Sequence, residues 1–229
     1  MRYNHILFDL DGTLTDPGVG ITKSVQYALH KFGIEEECDA LKWFIGPPLQ
    51  VSFRERYGFA EEQVEQAIRY YREYFSEHGI FENELYPAMK ETLETLIHAG
   101  CKLHVATSKP TVFAERILIH FDIMECFHSV TGSFLDGARS DKSEIIAHVL
   151  REQGISTADA IMIGDRKHDL IGATNNQIAS IGVTYGYGSV EELSACNPTV
   201  IVDTVQALEA WLLEASSGEV VGKGISNRA

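Results

Sequence analysis

The sequence is poor in positive charge. It contains 19 lysine and arginine residues against 33 aspartate and glutamate residues, which gives a formal net charge of −14 at pH 7. Proteins that bind nucleic-acid backbones or anionic membranes use clustered positive charge, so we expect neither partner. Apolar runs that approach the roughly 18 residues of a membrane span are also missing. The N-terminal segment, MRYNHILFDLDGT, does not resemble a signal peptide, and we therefore expect a cytoplasmic protein.

Cysteine is scarce too, and the four cysteines lie far apart without a C-x-x-C pair. This spacing argues against a zinc knuckle, a redox pair or a disulfide framework. The cofactor motifs G-x-G-x-x-G and Walker A do not occur, and the nine histidines have no metal spacing such as H-x-x-x-H. What the chain does have is 45% hydrophobic residues, an ordinary value for a folded protein with a real core.

Short apolar segments alternate with amphipathic helical patterns along most of the chain. The predicted strands cover residues 5–10, 102–107, 128–131, 160–165, 178–183 and 199–203. This alternation is typical of right-handed β-α-β units, in which a parallel sheet is covered by helices on both faces. The sequence therefore predicts an α/β protein with a Rossmann-like, doubly wound parallel sheet.

One block of the sequence interrupts this alternation. Residues 16–86 have helical patterns throughout and no convincing strand, and Asp16-Pro17 is a suitable helix start. We therefore predict an α-helical subdomain at 16–86, inserted into an α/β core of residues 1–15 and 87–215. Residues 216–229 contain little core material and are predicted to form a mobile tail.

Acidic residues follow two of the predicted strands. Asp9 and Asp11 end the first strand, Asp165 ends the strand at 160–165, and Asp169 comes four residues later at a helix start. Ligands of open parallel sheets bind beyond the carboxyl ends of the strands, so these acids are expected at one rim. Clustered carboxylates resist joint ionisation unless a cation offsets them, and hard oxygen ligands favour Mg²⁺.

A hydroxyl and an amine are expected at the same rim, from Thr107-Ser108 and Lys142. A carboxylate beside Mg²⁺ can attack phosphorus, and a second acid two residues away can handle the proton. The lysine and the hydroxyl would then bind the remaining phosphate oxygens. Taken singly, Asp11-Gly12 is also a common turn and Lys142 could be a surface lysine, so the hypothesis depends on the whole constellation.

These motifs resemble those of the haloacid dehalogenase superfamily. F-D-L-D-G-T-L-T-D at 8–16 resembles its first motif. Thr107, Lys142 and G-D-R-K-H-D at 164–169 resemble the second, third and fourth motifs, in the right order. The resemblance extends to about residue 214, and the helical insertion at 16–86 is similar to the cap of one branch of the superfamily.

The resemblance implies a catalytic role for four residues. Asp9 would be the nucleophile and Asp11 the general acid and base. Thr107 would hydrogen-bond the phosphoryl group, and Lys142 would neutralise Asp9 and the phosphate. Gly12 and Ser108 are expected beside the bound substrate.

The resemblance also implies a Mg²⁺ site. Asp9, Asp165 and the backbone carbonyl of Asp11 would be ligands. Asp169 would be either a ligand or an acceptor for metal-bound water.

The loop sequences point to a subgroup. G-S-F-L-D-G-A-R-S-D-K at 132–142 and F-I-G-P-P-L at 44–49 are most similar to the phosphoglycolate phosphatase-like group, and within it to bacterial 5′-nucleotidases. Gly46 and Pro47 are expected to face the substrate. We therefore predict a Mg²⁺-dependent phosphomonoesterase that forms a phospho-aspartate, acts on a small phosphate monoester such as a nucleoside 5′-monophosphate, and is a monomer or weak homodimer.

Other functions stay open at this point. Phosphoglycolate phosphatase activity fits the same motifs, and a sugar-phosphate mutase keeps the entire acid set. A phosphate-binding module without catalysis is a further alternative. The Asp9 and Asp11 pair argues against it, because a pure binder gains nothing from a base beside a nucleophile.

Overall fold

Six parallel strands form the central sheet. In the computed structural model, which describes residues 3–217, they are β1 (His5–Phe8), β2 (Lys102–Pro110), β3 (Phe127–Ser133), β4 (Ala160–Gly164), β5 (Ala179–Val183) and β6 (Val200–Val202). They are arranged in the order β3-β2-β1-β4-β5-β6. The order reverses between β1 and β4, as in doubly wound proteins of the Rossmann type. The predicted fold class is confirmed.

A helical block, residues 18–79, follows β1 in the chain. It consists of α1 (Gly18–His30), a 3-10 segment (Cys38–Phe44), α2 (Leu49–Tyr57), α3 (Glu61–Tyr74) and a π-helical turn (Phe75–Gly79). Apolar side chains of α3 and this turn share a buried face, as the spacing predicts, and they are Val64, Ala67, Ile68, Tyr71 and Phe75.

The two chain segments that join the block to the sheet lie side by side. Thr15–Asp16 and Glu84–Leu85 form a two-stranded antiparallel pair. The prediction that residues 16–86 contain no strand is therefore wrong at residues 16, 84 and 85, because a two-residue strand is too short to have a detectable period. The helix begins one residue later than Asp16-Pro17 predicts, because Pro17 and not Asp16 is its N-cap, although Asp16 Oδ1 accepts a 2.9 Å hydrogen bond from the Gly18 amide.

Helices cover both faces of the sheet. They are α4 (Met89–His98), α5 (Thr111–His120), α6 (Lys142–Glu152), α7 (Lys167–Asn175), α8 (Val190–Ser194) and α9 (Val205–Ser217). Ile6 and Phe8 of β1 join an apolar cluster with α4, α5 and α9, whereas Leu7 joins a second cluster with α6 and α7. This alternation follows from the pleat of a strand, whose successive side chains point to opposite faces.

The ends of the chain add two points. Of the tail predicted at 216–229, residues 216 and 217 belong to α9, and residues 218–229 lie outside the described part. Within residues 3–217, no helix combines the length and apolar character needed to cross a membrane.

Close packing of glycines holds the block together. A Cβ atom on Gly20 of α1 would lie 1.9 Å from the carbonyl oxygen of Gly79, so α1 and the π-helical turn would have to separate. We expect Gly20→Ala to lower the free energy of unfolding by about 1–3 kcal/mol, as overpacking typically does. Urea denaturation measures the change, and Val19→Ala, at an exposed position of the same helix, is the control. Equal stability of the two variants would contradict the packing argument.

Candidate active site

The predicted site residues meet where the strand order reverses. Asp9 directly follows β1 and Asp165 directly follows β4, and these two strands are neighbours in the sheet. Asp9 lines a cavity whose wall is built from residues of the sheet and of the helical block. Ligands of doubly wound proteins bind at this position, because loops from the two halves of the sheet diverge there.

Three carboxylates form a tight cluster beside this cavity. Oxygen atoms of Asp9, Asp165 and Asp169 lie within 4.8 Å of one another, and all three residues are buried. Lys142 Nζ lies 2.8 Å from Asp9 Oδ1 and 2.7 Å from Asp169 Oδ1, and it donates a 2.9 Å hydrogen bond to the Ala106 carbonyl. The sequence prediction that these four side chains converge therefore agrees with the geometry.

The cluster carries more negative charge than the protein neutralises. Burial raises the pKa of Asp165 well above its usual range, and Asp169 and Asp9 raise it further. Burial also raises the pKa of Asp169 to about 6 against the opposing effect of Lys142. When all groups are ionised, three carboxylates and one ammonium leave a formal charge of −2. Asp165 Oδ1 is buried, and no residue in the described part of the chain gives it a hydrogen bond. A divalent cation with a preference for oxygen ligands, such as Mg²⁺, fits this donor set.

Glycines allow the backbone to approach Asp165. A Cβ atom on Gly12 would lie 2.1 Å from Asp165 Oδ2, and one on Gly186 would lie 2.5 Å from Asp165 Cβ. Gly12 also has φ +83°, a left-handed conformation that favours glycine. The Tyr187 amide donates a 2.7 Å hydrogen bond to Asp165 Oδ2. Gly186 and Tyr187 are not among the residues predicted from the sequence, because their glycine-rich segment matches no cofactor motif and nothing else in it indicates a contact with Asp165.

Asp11 lies apart from this cluster and has a lysine of its own. Lys109 Nζ lies 2.6 Å from Asp11 Oδ2, and both residues are buried. Burial raises the pKa of Asp11, while the Lys109 ammonium lowers it in part. Lys109 is not among the residues predicted from the sequence, although its position directly after Thr107-Ser108 is a signal that it lies at the same rim.

The two predicted hydroxyl residues lie at the end of the same strand. Thr107 is buried, and its Oγ1 accepts a 3.3 Å hydrogen bond from the Lys109 amide. Ser108 Oγ donates to the Ser140 carbonyl at 3.0 Å. Both residues line the cavity with Asp9 and Asp11.

The helical block contributes Gly46 and Pro47 to the cavity wall, on the side predicted to face the substrate. Arg166, which follows Asp165, anchors this loop by donating a 2.6 Å hydrogen bond to the Ile45 carbonyl. A Cβ atom on Gly46 would lie 2.9 Å from Arg166 Cγ, so this contact requires glycine.

Aromatic side chains make up much of the remaining wall, and they are Phe44, Tyr71, Phe75, Phe113 and Phe134. Tyr71 and Phe75 stack with ring centroids 5.2 Å apart. Arg72 adds a cation at the rim and donates a 2.5 Å hydrogen bond to the Leu135 carbonyl, which lies outside the helical block.

Comparison with known proteins identifies the family. A family model described as haloacid dehalogenase-like hydrolase matches residues 6–183. The chain belongs to this family. A crystal structure of a predicted phosphatase from Clostridium acetobutylicum superposes with a TM-score of 0.91 at 50% identity, covering 93% of this chain and 100% of the other.

Curated relatives of this hydrolase carry different names. It is 50% identical over 213 residues to a 5′-nucleotidase of Pseudomonas aeruginosa, covering 93% of this chain and 96% of that protein. It is 37% identical to the tyrosine-protein kinase PtkA of Mycobacterium tuberculosis, covering 86% of this chain and 67% of that protein. A phosphoglycolate phosphatase of Vibrio parahaemolyticus is 29% identical, and the match covers 89% of this chain and 93% of that protein. The family and the phosphatase relatives support a phosphoric monoester hydrolase, as the sequence predicted.

Replacing Asp165 tests the excess charge. The fold raises the pKa of this carboxyl above its ordinary 3.8, so folding disfavours its ionised form. Ionisation of Asp165 therefore lowers the free energy of unfolding as the pH rises from about 4. We expect Asp165→Asn to be more stable than the wild type at pH 7 in EDTA, and the advantage to shrink towards pH 4. Urea denaturation at both pH values measures this, with the exposed Asp203→Asn as the control. A difference that does not change with pH would contradict the argument.

Proposed function

We propose that this hydrolase is a Mg²⁺-dependent phosphatase that forms a phospho-aspartate on Asp9, with nucleoside 5′-monophosphates as its substrates. The observation that carries the proposal is the buried group of Asp9, Asp165 and Asp169 around Lys142. A second carboxyl, that of Asp11, borders the same cavity. A nucleophile, a group of acids able to hold a divalent cation and a separate proton donor are the parts that stepwise phosphoryl transfer needs.

The ion would be held by Asp9, Asp165 and the Asp11 backbone carbonyl, with Asp169 as a further ligand or as an acceptor for its water. When bound there, Mg²⁺ would offset the charge of the phosphoryl oxygens and allow an anionic nucleophile to approach them.

In the first step, a carboxylate oxygen of Asp9 attacks phosphorus, and the bond from phosphorus to the leaving oxygen breaks. The protonated carboxyl of Asp11 gives its proton to that oxygen, which leaves as an alcohol. The raised pKa of Asp11 suits this role, since a general acid must retain its proton near neutral pH. Lys142 and the Thr107 hydroxyl stabilise the phosphoryl oxygens, on which charge is concentrated in the transition state.

In the second step, the carboxylate of Asp11 takes a proton from a water molecule as the water oxygen attacks the phospho-aspartate. The bond between phosphorus and Asp9 breaks, inorganic phosphate leaves, and both carboxyl groups return to their starting states. The same residue thus serves as acid and then as base.

The helical block would act as a cap on the core, with residues 16–86 above a core of residues 1–15 and 87–215. Tyr71 and Phe75 on the block side and Phe113 on the core side give the cavity an apolar, aromatic wall. Closure over the substrate would exclude bulk water during the attack of Asp9.

The aromatic wall and the similarity to a 5′-nucleotidase favour a leaving group with a planar ring, such as a nucleoside. Phosphoglycolate is the second candidate substrate, supported by the 29% identical relative.

The covalent step can be tested with two variants. Asp9→Asn should abolish turnover, because an amide oxygen cannot form the phospho-aspartate. Asp11→Asn should lower kcat by about 10²–10⁴-fold, the usual contribution of general acid–base catalysis. Phosphate release measures both, with Asp203→Asn as a surface control. Turnover by Asp9→Asn would rule out the covalent mechanism.

Substrate and metal can be tested together by measuring phosphate release from a panel of metabolite phosphates. We expect nucleoside 5′-monophosphates to be hydrolysed best, EDTA to stop the reaction and Mg²⁺ to restore it. Mg²⁺ should also raise the melting temperature of the wild type more than that of Asp165→Asn. A preference for 2-phosphoglycolate would replace the nucleotide assignment. Isomerisation of a hexose 1-phosphate faster than phosphate release would identify a mutase.

A further inference from the structure

We propose that Lys109 is a positioning residue that holds Asp11 by Oδ2, so that Oδ1 is the atom that gives and takes the proton. This inference rests on the proposed function, since it concerns the proton step of phosphoryl transfer. It assigns a role to a lysine that the sequence motifs did not identify.

The two oxygens of Asp11 have different surroundings. Oδ2 lies 2.6 Å from Lys109 Nζ. Oδ1 is buried and has no hydrogen-bond partner within residues 3–217. Among the described residues, Lys109 makes the only side-chain contact to this carboxyl within hydrogen-bond distance. Without Lys109, neither carboxylate oxygen would have a side-chain partner to fix the orientation of the carboxyl group.

The surroundings of Lys109 fit a positioning role. Its side chain is 6% exposed, and a lysine this buried is costly unless its charge is paired. The ammonium lies 4.7 Å from the centre of the Phe75 ring, at a distance where a cation is attracted to the face of an aromatic ring. Phe75 belongs to the helical block, whereas Lys109 and Asp11 belong to the sheet side. The Phe75 ring therefore covers the ion pair of Lys109 and Asp11 and limits the access of water. Water at this position would weaken the ion pair.

The two buried lysines of the site have separate tasks. Lys142 contacts Asp9, Asp169 and the Ala106 carbonyl, and hydrogen bonding of Asp11 is left to Lys109. One lysine therefore serves the nucleophile and the metal-binding acids, and the other serves the acid and base. Loss of Lys109 should impair proton transfer and leave the attack of Asp9 in place.

This division of tasks between the two lysines predicts that the effect of losing Lys109 depends on the leaving group of the substrate. An alkoxide such as the 5′-oxygen of a nucleoside needs a proton when its bond to phosphorus breaks, whereas p-nitrophenolate leaves without one. The ratio kcat/KM reports the steps up to release of the leaving group, so it isolates this proton transfer from the later attack of water.

The test compares Lys109→Met with Lys102→Met, an exposed lysine of the same strand. For Lys109→Met we expect kcat/KM to fall by about 10²-fold or more with a nucleoside 5′-monophosphate, the size of a lost general acid. With p-nitrophenyl phosphate we expect a much smaller fall. Added to Asp11→Asn, Lys109→Met should cause no further loss. Lys102→Met should behave like the wild type.

A crystal structure of Lys109→Met provides a readout that does not depend on activity. We expect the Asp11 carboxyl to be displaced or to occupy more than one rotamer, with Asp9 and Lys142 unchanged. An Asp11 rotamer identical to that of the wild type would overturn the proposal. So would an equal fall in kcat/KM for both substrates, or a further loss on the Asp11→Asn background, because Lys109 would then act on the substrate itself.

Failure of the proposed function has a different outcome. If the wild type hydrolyses none of the metabolite phosphates of the panel, the proposed function falls, and the crystal structure alone still decides whether Lys109 positions Asp11.

Discussion

The site depends on repulsion between carboxylates that the fold forces together. Asp9 and Asp165 end neighbouring strands, so the register of β1 and β4 fixes their separation. Asp169 is added by the first turn of α7, where its Oδ2 also accepts a hydrogen bond from the Arg166 amide. Lys142 offsets only part of this charge. The residual repulsion makes the ionised cluster unfavourable in the folded state, and under the proposed function a bound divalent cation would offset it.

Much of this site follows from the sequence, because its acids directly follow apolar strands. The position of Asp9 and Asp165 depends only on strand ends meeting at one edge of a parallel sheet, which periodicity reveals. The role of Lys109 could not be predicted in this way, because it depends on the direction in which the side chain points at the end of β2. Thr107 is buried beside the cavity, and Lys109 turns towards Asp11. No repeating pattern encodes such a direction.

Other features could not be predicted from the sequence, for different physical reasons. The pairing of Thr15–Asp16 with Glu84–Leu85 spans only two residues on each side, which is too short for a period of two. Gly186 is required by its closeness to Asp165, a contact between segments about 20 residues apart that one sequence does not reveal. The apolar spacing of α4 also predicts Ile97 on one face with Met89, Leu93 and Leu96, but Ile97 is 37% exposed whereas the other three are fully buried.

The short strand pair below the helical block has an evolutionary consequence. Since the chain leaves the sheet at Thr15–Asp16 and returns beside it at Glu84–Leu85, the inserted segment begins and ends at one point in space. Its length can then grow or shrink without disturbing the alignment of any strand in the sheet. Under the proposed function, replacement of this segment would change which substrates are admitted and would leave the acids at the strand ends in place.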